Sequence, residues 1–190
     1  MNISSKIIKI AAFICSVVVG IGVVRAQTPT PAKGTTIVSQ RIKQGVYSVT
    51  APGTVTMGEI TAATTVQSTT GTATGWIVKD ARGNKTPAGW SLTISSTDFS
   101  DGLATPAIIP ITNNLKVTTQ ATAATSGSMT GITSNTTGTT LTSTAAQATV
   151  ATAASGSGQG EYTGNVALVL TVPANSYAAD YTATLTFTLQ

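Results

Sequence analysis

Tyr181-Thr182-Ala183-Thr184-Leu185-Thr186-Phe187-Thr188-Leu189 decides the fold class. Successive side chains of a β-strand point to opposite faces, and here the aromatic and aliphatic residues fall on one face and the threonines on the other. Period-two alternation over nine residues requires a sheet with one buried and one solvated face. Upstream, Val166, Leu168, Leu170 and Val172 alternate in the same way until Pro173 ends the run. Trp90, Leu92 and Ile94 share one face of a third segment, with Ser91, Thr93 and Ser95 on the other. Threonine, β-branched and suited to half-buried strands, supplies 39 of the 190 positions. No amphipathic helix pattern of useful length interrupts these strands. The expectation is an all-β protein: one immunoglobulin-like β-sandwich of two packed, mostly antiparallel sheets spanning residues 36–190.

The remaining segments fit that frame with different clarity. Val46-Tyr47-Ser48-Val49 reads as a strand ended by the turn signal Pro52-Gly53. Trp76-Ile77-Val78-Lys79 and Trp90-Ser91-Leu92-Thr93-Ile94 flank the charged, glycine-containing loop Asp80-Ala81-Arg82-Gly83-Asn84-Lys85, which predicts a hairpin with a long tip. Between Thr118 and Gly160 the chain is dominated by Thr, Ala, Ser and Gly, with Met129, Ile132, Leu141 and Val150 as sparse apolar anchors. Two readings are open there: short edge strands joined by long loops, or a flexible surface insertion. Low bulk per residue makes this segment the expected least rigid part.

The amino terminus reads as an address. Lys6 and Lys9 precede an uncharged run from Ile10 to Val24, and Val24-Arg25-Ala26 supplies a small-residue cleavage site, so residues 1–26 are expected to be a secretory signal. The alternative is a retained anchor, but a spanning helix needs about 20 apolar residues. Residues 27–35, with Pro29 and Pro31, read as an extended linker. Removal of the signal takes away Lys6, Lys9, Arg25 and the single cysteine, Cys15, leaving seven basic against six acidic residues. No Lys/Arg cluster then remains to neutralise phosphates, so no nucleic-acid partner is expected. The best later apolar run, Val166 to Leu170, is too short to span a membrane, so no membrane contact is expected after cleavage. The carboxyl end has no sorting pentapeptide, so retention on a cell is expected to be non-covalent.

Composition also limits chemistry. The chain has no histidine, which excludes a His-based triad, and one cysteine, which excludes a zinc cluster or disulfide framework. No catalytic residue, cofactor or metal is expected. Asp98 and Asp101 are the only neighbouring carboxylates, and two carboxylates on a turn more often cap it than ligate calcium, which takes six to eight oxygens. Gly156-Ser157-Gly158-Gln159-Gly160 lacks the lysine and helix of a phosphate loop and reads as a turn into the Tyr162 strand. Asn84-Lys85-Thr86 and Asn135-Thr136-Thr137 match the glycosylation sequon and mark surface loops at most. The aromatics divide two ways. Trp76 and Trp90 on one hairpin would make a stacking platform for sugar rings, whereas Trp90, Leu92, Tyr181 and Phe187 would be the large residues of a core.

Two segments together resemble the WxL-domain family of Gram-positive cell-surface proteins. The first runs from Val78-Lys79-Asp80-Ala81-Arg82-Gly83 to Ala88-Gly89-Trp90-Ser91-Leu92-Thr93-Ile94 and carries the Trp-x-Leu motif. The second is Val172-Pro173-Ala174 followed by the strand Tyr181 to Leu189, similar to the family's distal motif. Phe187 stands where the family usually has a second Trp, keeping the apolar ring and losing the indole N–H. The resemblance implies that Trp90, Leu92, Tyr181, Leu185, Phe187 and Leu189 form the motif residues, as core or as wall-binding surface. It also implies non-covalent association with peptidoglycan or another wall polymer, often alongside other WxL or wall-associated proteins.

Three functions follow as expectations. The leading one is a secreted domain retained on its own cell wall, with Trp90 and Leu92 joining Phe187 and Leu189 in one apolar cluster and loops or Trp76 touching the wall. The second is a structural subunit of a surface layer or fibre assembled by sandwich pairing. The third, an enzyme acting on wall glycans, is weakened by the missing histidine and the lack of a credible carboxylate pair.

Overall fold

The computed structural model describes residues 36–190, and every regular element among them is a strand. The expected signal and linker, residues 1–35, lie outside the described residues. All strands lie within the compact unit Arg41–Gln190. In chain order they are β1 (Tyr47–Thr50), β2 (Gln67–Asp80), β3 (Trp90–Ser96), β4 (Phe99–Ser100), β5 (Ile108–Ile109), β6 (Leu115–Gly127), β7 (Ile132–Ser134), β8 (Thr139–Thr140), β9 (Ala148–Ala153), β10 (Gly160–Val172) and β11 (Leu185–Leu189).

Two antiparallel sheets, ordered β1-β2-β10-β6-β8 and β11-β3-β9-β7, pack into a β-sandwich, with β4 and β5 forming a small two-stranded sheet. The alternations read from sequence face the interior: Val166, Leu168, Leu170 and Val172 of β10 and Trp90, Leu92 and Ile94 of β3 are all buried. One apolar core joins the sheets, and the Trp90 and Tyr162 rings meet in it at a centroid distance of 5.4 Å. The Thr119 hydroxyl donates to the carbonyl of Val150 at 2.7 Å, tying β6 to β9 across the core.

The structure corrects three expectations. First, β2 and β3 are not a hairpin. β2 pairs with β1 and β10, β3 pairs with β11 and β9, and residues 81–89 cross from one sheet to the other. Each strand buries aromatic bulk from opposite sides of the same core, which pairing side by side would not allow. Second, the Thr/Ala/Ser/Gly-rich region is no insertion and not only edge. It supplies β6, which lies between β10 and β8, and β9, which lies between β3 and β7. Small residues are required there because neighbouring rings fill the space. Within the region a Cβ at Gly158 would sit 2.6 Å from Nε1 of Trp90, and Trp90 lies opposite Ala153 in register; just beyond it, in β10, a Cβ at Gly164 would sit 2.7 Å from Cζ2 of Trp76. Third, the terminal strand is shorter than nine residues. Leu185–Leu189 pairs with β3, but Thr182 and Thr184 bond Ser100 and Thr97, where the partner chain has already left β3 for β4.

A bulge completes the β3–β9 pairing. Leu92 lies opposite Ala151 and Thr93 opposite Thr149, so Val150 is the extra residue of β9. Val150 and Ala151 are therefore both buried, and the Val150 carbonyl accepts from Asn135 as well as from Thr119.

Candidate functional site

The two motif segments, almost a hundred residues apart in sequence, are adjacent antiparallel strands. Leu189 lies opposite Leu92 and Phe187 opposite Ile94, while Ser91 and Gln190 exchange backbone hydrogen bonds at 2.9 Å in both directions. Trp90 and Leu92 belong to the buried core, and Tyr181, Leu185, Phe187 and Leu189 are half-buried against it. The pair of motifs thus closes one contiguous cluster. Trp90 is 4% exposed, and its indole Nε1 donates to the Gly158 carbonyl at 2.9 Å. Gly158 has φ of +91°, and a Cβ there would lie 2.6 Å from that same nitrogen, so only glycine lets the loop come down onto the ring. The glycine-rich segment is the turn into β10 that its composition suggests, and its working part is the carbonyl that receives Trp90.

A second device sets the entry to the motif, and sequence reading assigned it no role. Asp80, with its side chain 1% exposed, accepts from Arg82 Nε at 2.9 Å and Nη2 at 2.7 Å. The same Nη2 donates to the carbonyl of Gly89 at 2.9 Å, one residue before Trp90, and the guanidinium lies 3.9 Å over the Tyr47 ring. Tyr47 in turn donates its hydroxyl to the Gln190 carbonyl at 2.8 Å. One arginine therefore links the end of β2, the start of β3 and, through Tyr47, the end of the chain. The Arg82 hydrogen bonds hold the Asp80 carboxyl below the ordinary aspartate range, against the opposing effect of burial, and Asp80 raises Arg82 in return. The sequence signal was Asp-x-Arg at the sheet crossover, a spacing that puts both groups on one side of a turn.

Trp76, expected as an outward contact, is fully enclosed between the sheets at 0% exposure. Its ring packs on Gly164 and it presents nothing to a polymer. The Asp98 carboxylate accepts from the Ile111 N–H, and Asp101 accepts from Leu103 and Ala107, so both brace the loop around β4 and β5. Among the described residues no group of three or more His, Cys, Asp or Glu side chains converges as a metal site. Asn84 is exposed, whereas the Asn135 amide donates to Thr139 and Thr149 and its Oδ1 accepts from Gly138, bracing the turn before β8.

Two concavities flank the cluster. Above Trp90, a polar depression of about 280 Å³ is lined by Pro87, Ser128, Thr130, Ser157, Gln159 and Tyr162 together with Gly156 and Gly158. Beside the Pro87 ring, its polar side-chain groups are the hydroxyls of Ser128, Thr130, Ser157 and Tyr162 and the Gln159 amide, and no charged residue lines it. At the opposite end, a groove of about 950 Å³ opens between the sheets, with Leu168, Leu170, Phe99, Leu185 and Phe187 among its walls and the irregular stretch 51–63 along one side. Among the described residues no helix is long and apolar enough to cross a membrane.

Fold and site define an all-β surface-type domain in which a Trp-x-Leu strand and a distal aromatic strand are knit together as neighbours. The family model of the WxL domain, described as surface cell wall-binding, matches residues 34–190, and the chain belongs to that family. Its family is one of cell-wall binding rather than catalysis, which associates this chain with the cell surface. Comparison with curated proteins and with solved structures returns no significant match.

Proposed function

We propose that this protein is exported and held non-covalently on the cell wall by its WxL domain, working beside other wall-associated proteins. The observation that carries the reading is the family match over residues 34–190, which spans every described residue. The motif residues act indirectly. Trp90 and Leu92 lie in the core, so they build the domain and leave the wall contact to the surface above them. That surface is the polar depression, whose hydroxyls and amide suit the hydroxyl and acetamido groups of a glycan. Trp90 fixes its floor through the bond to Gly158. With no charged lining residue, the depression has no acid/base pair with which to cleave a glycosidic bond.

Co-sedimentation with purified peptidoglycan tests this reading. Thr130 is exposed on the rim, so Thr130→Trp fills the depression without touching the core. The wild-type chain is expected to sediment with wall, and Thr130→Trp to stay in the supernatant with an unchanged melting temperature. Undiminished sedimentation of Thr130→Trp would move the contact to another face; no sedimentation of the wild type would remove direct wall binding altogether.

A further inference from the structure

The two sheets differ in length, and the longer one overhangs the shorter. Trp90 of β3 meets Tyr162 of β10 near one end of the core, and Thr119, opposite Val166, bonds Val150 further along, so the two strands run in the same direction. From that end β3 continues to Ser96 and β10 to Val172, roughly 20 Å against roughly 33 Å at about 3.3 Å per residue. Leu170 and Val172 therefore reach past β3, where Phe99 of β4 and Ile109 of β5 line the same space. The overhang leaves the groove of about 950 Å³, with Leu185 and Phe187 of the distal motif half-buried along it. Both its size and its apolar floor are those of a binding site.

Charge marks the mouth of that groove. Asp80 pairs with Arg82, Glu161 lies 3.0 Å from Lys79, and Asp98 and Asp101 accept from backbone N–H groups. The other two acidic residues of the described chain, Glu59 and Asp180, make no hydrogen bond or ion pair among the described residues, and both are exposed. Both line the groove, and no lysine or arginine does. Two unneutralised carboxylates beside an apolar floor attract a cationic group and repel an anionic one.

The walls carry main-chain groups as well. Along 52–62 the bond from the Gly58 N–H to the Thr70 carbonyl is the one main-chain hydrogen bond among the described residues, and 177–181 make none. A hydrocarbon chain would leave those groups to water, whereas an extended peptide can bond them while its side chains enter the groove.

We propose that the groove is the docking site for an extended segment of another protein. Its apolar side chains seat against Leu170, Leu185 and Phe187, and a neighbouring lysine or arginine is held by Glu59 and Asp180. The groove shares no lining residue with the polar depression, so this contact goes beyond wall binding and does not depend on it.

The test pans a displayed library of random short peptides against the wild type and, in parallel, against Glu59→Lys/Asp180→Lys. Both positions are exposed, so the variant is expected to keep its melting temperature and its sedimentation with peptidoglycan. The wild type is expected to enrich peptides that join apolar residues to lysine or arginine. An enriched peptide, synthesised and followed by fluorescence anisotropy, is expected to bind the variant at least about tenfold more weakly and to lose affinity as salt rises. No enrichment above background, enriched peptides without an excess of basic residues, or equal affinity for the variant would each overturn the proposal. Wild-type self-association that the double substitution abolishes would give the groove to a second copy and overturn it too. Loss of wall sedimentation with peptide binding intact bears on the wall reading alone.

Discussion

Replacing Trp90 with alanine separates a structural motif from a binding surface. The ring is 4% exposed, packs on Tyr162 and donates to Gly158. An aromatic side chain buries about 150–250 Å², which at ~25 cal/mol per Å² amounts to roughly 4–6 kcal/mol, an upper bound because unfolded chains already bury some surface. Measured Trp-to-Ala losses in cores of about 3–5 kcal/mol agree, and they include part of the cost of leaving a carbonyl unpaired. Against a domain stability of about 5–15 kcal/mol, that is between a fifth and all of it. For a chain of this size each kcal/mol moves the melting temperature by about 2–4 °C, so the expected fall is roughly 6–20 °C. The assay is a thermal melt followed by peptidoglycan co-sedimentation of Trp90→Ala well below its own midpoint. Trp90→Phe, which keeps an aromatic ring and removes the donor, is expected to lose about 1–3 kcal/mol for the buried Gly158 carbonyl left unpaired plus a small packing term. A Trp90→Ala melt within a degree or two of wild type, accompanied by complete loss of wall retention, would refute the buried role and return Trp90 to the surface.

Three further outcomes follow from the same cluster. Gly158→Ala places a methyl 2.6 Å from Trp90 Nε1 and 2.5 Å from the Ala153 methyl at a φ of +91°, so it is expected to destabilise by about 1–3 kcal/mol and to shift the tryptophan fluorescence; an unchanged spectrum and melt would show that the loop floats free of the ring. Asp80, whose carboxyl is held below its ordinary value of about 3.9, contributes stability that is fully present above that value and is lost as pH falls through the lower folded value, so the wild-type melting temperature should drop more steeply below about pH 4 than that of Asp80→Asn/Arg82→Gln. Arg82→Ala alone should be worse than that double variant, by up to about 3–5 kcal/mol, because it strands a buried carboxylate; equal melts at neutral pH would count against the pairing.

The legible part of the fold was the part where bulk alternates. From Val166 to Val172 in β10 and from Trp90 to Ile94 in β3 every second residue is large and apolar, so the buried face is written into single strands, and the structure buries those faces. Pairing was less legible, because it depends on what two strands share rather than on either alone. The loop between Trp76 and Trp90 has the length and charge of a hairpin tip, but both strands carry an indole that needs the middle of the sandwich, and they reach it from opposite sheets. The small-residue region was opaque for the complementary reason. Ala153 and Gly158, and Gly164 just beyond the region, have little bulk because Trp90 and Trp76 occupy the volume in front of them. Read alone such residues suggest a mobile surface; read against the two rings they are the other half of the packing.

That complementarity also explains why the motif lies where it does. Trp90 is the first residue of β3, at the point where the chain has just crossed between sheets and has no neighbouring strand turn to fix it. Three separate segments hold it there. Arg82 grips the carbonyl of Gly89, Gly158 receives the indole N–H, and Gln190 pairs with Ser91. Each belongs to a stretch that looked like punctuation in sequence: a charged loop, a glycine run and the chain end. A Trp-x-Leu pattern is short enough to occur by chance in any strand, so the tripeptide alone cannot specify the domain. What specifies it is the set of small and charged residues that make one indole the meeting point of both sheets. Surface loops resting on that indole inherit its rigidity, which places a preorganised polar face directly above the motif without exposing the motif itself.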